Sequence, residues 1–293
     1  MKRSHVVALV MIVGLSLGAQ APFDQTFPPD VAAPQRFRTN RTSYSAIMDV
    51  LRPSRPRATQ AMLDQLKTLP LESLYGALGD YRTNYARGFI STRPRDRIVG
   101  RALTMRFLPP RPDVSRAAQT LAQEGDWDRR YYARAAEEAQ PGDVVVAELG
   151  GADGHNLFGA MAATGIRLRG VAGAVIDGGS RDLAELQGDD FKGFPVFAKF
   201  FHVMPTAWIG VEYNTPVRIG SVTVLPGDVV VGEDEGVLFF PPELLETVVK
   251  TARETEDREA YERKIMLMKK YRFRDIYPLS PALRQQYDQE KKQ

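Results

Sequence analysis

The order of secondary-structure signals predicts a layered α/β or α+β domain, and three observations carry that expectation. Helical patterns concentrate near the two ends of the chain, while strand patterns mix in the middle. Two Pro-Gly-Asp turns, at Pro141-Gly142-Asp143 and Pro226-Gly227-Asp228, each open a run of three valines, the signature of a tight turn feeding a strand. Between them, the small apolar run Val171–Ile176 fits a buried strand that ends in glycines and hands over to Arg181 and Asp182. Strand ends in α/β proteins are where reactive side chains gather, because a rigid sheet holds the loop.

The elements follow in order. Lys2 and Arg3 precede an apolar run from Val6 to Leu17 and then small residues, which is the layout of a secretory signal peptide over residues 1–21, cut after Gly18 or Ala19. The run is short for a bilayer span, so no stable membrane anchor is expected. Residues 22–58 are rich in proline, arginine and polar side chains and read as an extended arm, with one helical patch at Tyr44–Leu51. Helices are expected over Thr59–Leu69 and Leu71–Leu78, a strand over Arg97–Leu108 and a helix over Asp126–Ala139. After the first valine run come a helix over Leu157–Arg169, the Val171–Ile176 strand, a short helix at Leu183–Leu186 and a strand at Phe194–Phe201. Val217–Val224, Asp228–Val231 and Val237–Phe240 look like closing antiparallel strands. A long charged helix at Glu243–Lys270 precedes a polar tail.

Composition narrows the classes. The chain has 293 residues, 43% hydrophobic and 26% charged, enough to bury a core. A formal charge of +3 is too small to argue for nucleic acid, and the arginines between Arg93 and Arg116 lack an accompanying aromatic pattern. The absence of cysteine excludes disulfides, thiolate chemistry and lipid attachment at cysteine.

The order Pro-Gly-Asp-Val-Val-Val, a Gly-rich loop, a helix opening at Gly159, Arg169-Gly170-Val171-Ala172-Gly173, Asp177-Gly178, Arg181-Asp182, Phe194-Pro195-Val196-Phe197-Ala198 and Pro226-Gly227-Asp228 through Asp234 to Gly236-Val237 resembles the RraA-like family. That family contains 4-hydroxy-4-methyl-2-oxoglutarate aldolases and the regulator of ribonuclease E activity. The likeness spans roughly Leu63 to Leu245, within a domain drawn over 59–245, with 246–293 as a C-terminal helix and tail. It implies an α/β/β sandwich assembling as homotrimers or homohexamers with active sites between subunits.

The resemblance also implies a site. Asp182 binds a divalent metal, magnesium or manganese. Arg181 contacts the 2-oxo group of a small 2-oxo acid substrate and the enolate that develops from it. Backbone amides at Gly159, Ala160, Met161 and Ala162 hold the substrate carboxylate. The implied activity is retro-aldol cleavage of a 4-hydroxy-2-oxo dicarboxylic acid, or decarboxylation of oxaloacetate, with water as the proton-transfer group. The alternative is a non-catalytic binding or regulatory protein. The chemistry suits these residue types: a negative charge forming on an enolate wants a Lewis acid and a fixed cation, and a helix start suits a carboxylate. Two positions depart from the aldolase pattern. Ala160 stands where the aldolases carry an acidic residue, and Gly76 takes an Asp position in Ser73–Leu78. Glu185 retains the acidic residue after the pair. Asp153 and His155 are candidate replacements for the lost acid, set against a plain loop turn in which Asn156 caps the following helix. Glu148 and Asp177 end strands near the site. Lys199 offers a Schiff-base alternative that the family does not use.

Overall fold

A computed structural model describes residues 40–51, 57–123, 131–151, 155–204 and 208–291. The expected signal peptide and Asp153 lie outside the described residues. The chain divides into two units, Met1–Ile47 and Met48–Gln293; of the first, only the opening of helix α1 (Asn40–Leu51) is described. No helix among the described residues is long and apolar enough to cross a membrane.

The second unit is built on one large mixed sheet. In chain order come α2 (Gln60–Asp64), continued by a 3-10 turn over Gln65–Thr68, and α3 (Leu71–Ala77); then β1 (Tyr85–Ala86), β2 (Ile90–Ser91) and β3 (Ile98–Leu108). Next are α4 (Pro112–Gln123), α5 (Tyr131–Glu138), β4 (Asp143–Glu148), α6 (Ala160–Leu168), β5 (Ala174–Ser180), α7 (Leu183–Leu186) and β6 (Val196–Phe201). The chain closes with β7 (Ile209–Tyr213), β8 (Val217–Ile219), β9 (Val222–Val224), β10 (Val229–Glu233), β11 (Gly236–Phe240), α8 (Leu245–Leu267), α9 (Phe273–Ile276) and α10 (Pro281–Glu290). The sheet order is β1-β11-β10-β3-β4-β5-β6-β2, with β7 also pairing β3 and β8-β9 forming a separate hairpin. Strands β3 to β6 run parallel, while β10 and β11 join antiparallel.

Alternation along the strands produces three layers. Val145 and Ala147 of β4 and Ala174 and Ile176 of β5 join a core with Ala163 and Ile166 of α6. Their neighbours Val144, Val146 and Val175 face the opposite way, packing with Val217, Ile219, Val222 and Val224 of the hairpin. On the antiparallel side, Val229, Val231, Leu238 and Phe240 pack with leucines of α2 and α3 and with Val248 and Val249 of α8. Helices thus cover one face and the β8-β9 hairpin the other: the α/β/β sandwich.

The two Pro-Gly-Asp turns use one device twice. Gly142 and Gly227 adopt φ of 80° and 81°, the left-handed position that a Pro-Gly turn needs. Each following aspartate accepts from the amide three residues back, Asp143 from Gln140 at 2.9 Å and Asp228 from Leu225 at 2.8 Å. Each turn therefore closes with a side-chain bond before its valine strand begins.

Four readings need correction. The buried strand does not end at its glycines: β5 runs to Ser180, with a register shift between Ile176 and Gly179. A Cβ on Gly179 would fall 2.4 Å from Phe200 and one on Gly178 2.7 Å from Leu149, so these glycines permit close packing inside the strand. Helix α6 begins at Ala160 rather than Leu157, because Asn156 to Phe158 pair with the end of β5. The expected polar tail is helical, with Leu283 and Tyr287 packed on Tyr261, Ile265 and Ile276. Strands β1, β2 and β7 were not expected from the sequence; the first two have only two residues each, too few for periodicity to register.

Candidate functional site

The end of β5 and the start of α6 are zipped together by backbone. Asn156 bridges Gly179 in parallel, the Leu157 amide donates to the Gly179 carbonyl at 2.9 Å, and the Gly179 amide donates to the His155 carbonyl at 2.9 Å. The Phe158 carbonyl then accepts from the Arg181 amide at 3.2 Å and from the buried Ser180 hydroxyl at 2.9 Å. This places Gly159 and Ala160 directly beside Arg181 and Asp182. Asn156 anchors the segment from behind, its side-chain amide donating to the carbonyls of His202 and Met204. It therefore does not cap α6. The sequence singles out Asn156 only as a cap and Ser180 not at all, since their role lies in contacts with chain far away.

Asp182 takes a left-handed backbone, φ 59° and ψ 41°, an uncommon position that aspartate tolerates better than most residues. That turn brings its Oδ2 to 2.9 Å from the Ala160 amide, so the carboxylate caps α6, whose own N-cap residue Gly159 has no side chain to do so. A Cβ on Gly159 would lie 2.0 Å from Asp182 Oδ2 and 2.8 Å from both Cγ and Nε of Arg181. Only glycine leaves room there. Arg181 Nε stands 3.8 Å from Asp182 Oδ2, with the two side chains 43% and 39% exposed, a loose pair with hydrogen-bonding capacity left over.

The amides of Met161 and Ala162 belong to the first turn of α6, whose N–H groups have no intrahelical acceptor, and the helix dipole adds positive potential there. The Ala160 amide is already taken by Asp182. The Met161 side chain points outward, 86% exposed.

The other candidates separate from this pair. Glu185 is exposed on α7, and among the described residues its carboxylate makes no ion pair. Glu148 is tied to Arg106 at 3.0 Å and accepts from the Arg218 amide at 2.9 Å, while Arg106 also holds Glu212 at 2.5 Å. Asp177 is buried and faces Lys199 at 3.8 Å. Lys199 donates to the Arg87 carbonyl at 2.6 Å and sits 3.8 Å from the Phe89 ring centroid. Burial lowers the Lys199 ammonium pKa, and Asp177 partly offsets it. His155 packs against Trp208 at 4.9 Å between ring centroids, with its Nδ1 buried and unbonded.

Among the described residues no cluster of three or more His, Asp or Glu side chains is placed to hold a metal ion. The donor set at the pair is one half-exposed carboxylate. That fits a hard divalent cation such as magnesium, which is commonly bound through one or two carboxylates with water and substrate oxygens filling its remaining positions.

The fold belongs to a known class. A family model described as RraA-like, Aldolase/RraA, matches residues 59–239, and the chain belongs to that family. A protein of Halalkalibacterium halodurans named "Putative 4-hydroxy-4-methyl-2-oxoglutarate aldolase" is 28% identical over 229 residues, covering 75% of this chain and 99% of that protein. The crystal structure of Streptomyces coelicolor RraAS2, titled an unusual member of the RNase ES inhibitor RraA protein family, aligns with a TM-score of 0.60 at 26% identity, over 71% of this chain and 99% of the other. An uncharacterised protein from Pseudomonas syringae has the same fold, with a TM-score of 0.60 at 22% identity over 76% of this chain and 99% of that one.

Proposed function

We propose that the protein is a divalent-metal-dependent lyase that cleaves a 4-hydroxy-2-oxo dicarboxylic acid by retro-aldol reaction, or decarboxylates oxaloacetate, through the enolate of pyruvate. The observation that supports it best is the bare Cα of Gly159, over which the Asp182 and Arg181 side chains pack. It lets a carboxylate and a guanidinium converge on a helix N-terminus with valence to spare.

The residues divide the work. Asp182 holds the cation, magnesium or manganese, which when bound polarises the 2-oxo group and neutralises charge. Arg181 supplies a fixed positive charge to the same oxygen, where the enolate forms. The Met161 and Ala162 amides receive the substrate carboxylate, and Gly159 leaves room beside them for Asp182 and Arg181. In retro-aldol cleavage the bond between C3 and C4 breaks and its electron pair becomes the enolate double bond of pyruvate. The 4-hydroxyl becomes a carbonyl, its proton passes to solvent water at the open pair, and water later protonates C3. In decarboxylation the electron pair comes from the bond to the departing carbon dioxide. We further propose a homotrimer or homohexamer and export from the cytoplasm, as the leader-like N-terminus suggests.

The test is pyruvate release from 4-hydroxy-4-methyl-2-oxoglutarate and oxaloacetate with added magnesium or manganese. Asp182→Ala is expected to abolish release and weaken manganese binding measured by calorimetry. No pyruvate from either acid, with manganese binding unaffected by Asp182→Ala, sinks the proposal. A second reading, a non-catalytic binding protein, is favoured by Ala160, an alanine where the aldolases carry an acid. It predicts no turnover from any such acid and capture of a protein partner from the exported fraction.

A further inference from the structure

We propose that the turn joining α8 to α9 docks the protein on the surface of an anionic lipid bilayer. The segment reads Lys264-Ile-Met-Leu-Met-Lys-Lys-Tyr-Arg-Phe-Arg274 and lies beyond the family-matched residues. Lys269 takes a left-handed backbone, φ 57°, which ends α8 and turns the chain outward. Ile265 and Ile276 face inward to Tyr261, Leu283 and Tyr287. The remaining large apolar side chains face solvent. Leu267 is 77% and Phe273 64% exposed, and Met268, Tyr271 and Tyr277 are exposed as well. Phe273 and Tyr277 touch, with ring centroids 5.9 Å apart.

Charge completes the pattern. Nearby cations on α8 and after α10 are paired: Arg263 with Glu259, Lys264 with Glu290, and Lys291 with Asp257. Lys269, Lys270, Arg272 and Arg274 are exposed and make no ion pair among the described residues. Unpaired cations interleaved with exposed aliphatic and aromatic side chains suit a bilayer interface, where the apolar groups enter the acyl boundary and the cations meet anionic headgroups. A second copy docking the same patch to itself would set these cations against each other. Single-stranded nucleic acid needs stacking faces, and the most exposed side chain here, Leu267, has none.

The test is co-sedimentation of the full chain with vesicles of phosphatidylcholine alone, or of phosphatidylcholine mixed equally with phosphatidylglycerol. Binding is expected to be tighter to the anionic vesicles and to weaken with salt. Each lysine or arginine at such a surface contributes about fivefold, so reversing all four cations (K269E/K270E/R272E/R274E) is expected to cost on the order of a thousandfold. L267S/F273S is expected to weaken binding by about tenfold while keeping its salt dependence. The apolar run Val6–Leu17 is common to every variant, so differences report the patch. Phe273→Trp serves as a second readout independent of those variants' folding: its emission, against the parent chain, is expected to shift to the blue on anionic vesicles only. Equal binding by the parent and the charge-reversed chain overturns the proposal. So does unchanged emission from the bound Phe273→Trp variant, or loss of oligonucleotide binding or self-association in the charge-reversed and serine variants with vesicle binding intact.

Discussion

One arginine–aspartate pair joins two strands of the sheet and another follows the end of β5, and the two differ in almost everything but chemistry. Arg101 and Asp143 are buried to 7% and 9% exposure. Arg101 donates to Asp143 at 3.1 Å, to the Ala58 carbonyl at 2.9 Å and to the Pro141 carbonyl. Asp143 also accepts from Arg57 at 2.5 Å and from the Gln140 amide. The arms of that pair hold the first Pro-Gly-Asp turn against β3 and tie the segment before α2 to both. Arg181 and Asp182 stand 3.8 Å apart, half exposed, with one backbone bond between the carboxylate and α6. Saturated bonding marks a structural pair; spare bonding capacity in a fixed frame leaves the other pair open to a ligand.

The largest expected effect lies in the buried pair. Arg101→Ala removes the buried partner of Asp143, leaving it the half-exposed Arg57 and the Gln140 amide, and is expected to destabilise the fold by about 3 kcal/mol, read from denaturant unfolding. Arg181→Ala is expected to stay within about 0.5 kcal/mol of the parent. A similar loss for both would erase the distinction. Gly159→Ala comes next: its Cβ would collide with both members of the exposed pair. It is expected to cost about 1–3 kcal/mol, and the proposed lyase turnover is expected to fall on the order of a hundredfold from misplacement of the pair. Asp182→Asn preserves the cap and the left-handed turn, so its melting point should stay within about 2–4 °C of the parent, while pyruvate release is lost.

The smallest effect concerns Glu262, buried in α8 beside Arg258 at 3.9 Å, with Oε2 unbonded. Burial raises its pKa above the usual 4.5, against a smaller lowering by Arg258. A carboxyl whose pKa is raised on folding favours the folded state when protonated, so its contribution declines as the pH climbs above 4.5 toward the raised value. Amide exchange in α8 to α10 is expected to show that decline in the parent and to be flat in Glu262→Gln across the same range.

Much of the fold was legible because its cause is local. Both Pro-Gly-Asp turns, the valine strands after them and the short α7 helix follow from residues within a few positions of one another, and periodicity located β3 and α8. The site was legible only in part. Arg181-Asp182 and the glycine at 159 carry a recognisable family order. Asn156, Ser180 and the pairing that delays α6 to Ala160 carry no local signal, because each acts on residues more than twenty positions away. The outward face of the α8–α9 turn looked like the end of a charged helix and the start of a polar tail. Which of its apolar residues are buried depends on α10 folding back.

The sequence by itself determined the turns, most of the strands and a layered α/β class, since backbone conformation and alternation are set by neighbouring residues, and its family order pointed to the α/β/β sandwich and to the candidate pair Arg181-Asp182. Only the tertiary structure decided what surrounds that pair. It placed Asp182 on the Ala160 amide across 22 positions and required Gly159 to be bare. It also left Arg181 half free while Arg101 is bound on every side, because the parallel register of β3 and β4 sets Arg101 beside Asp143, whereas Arg181 follows the end of β5.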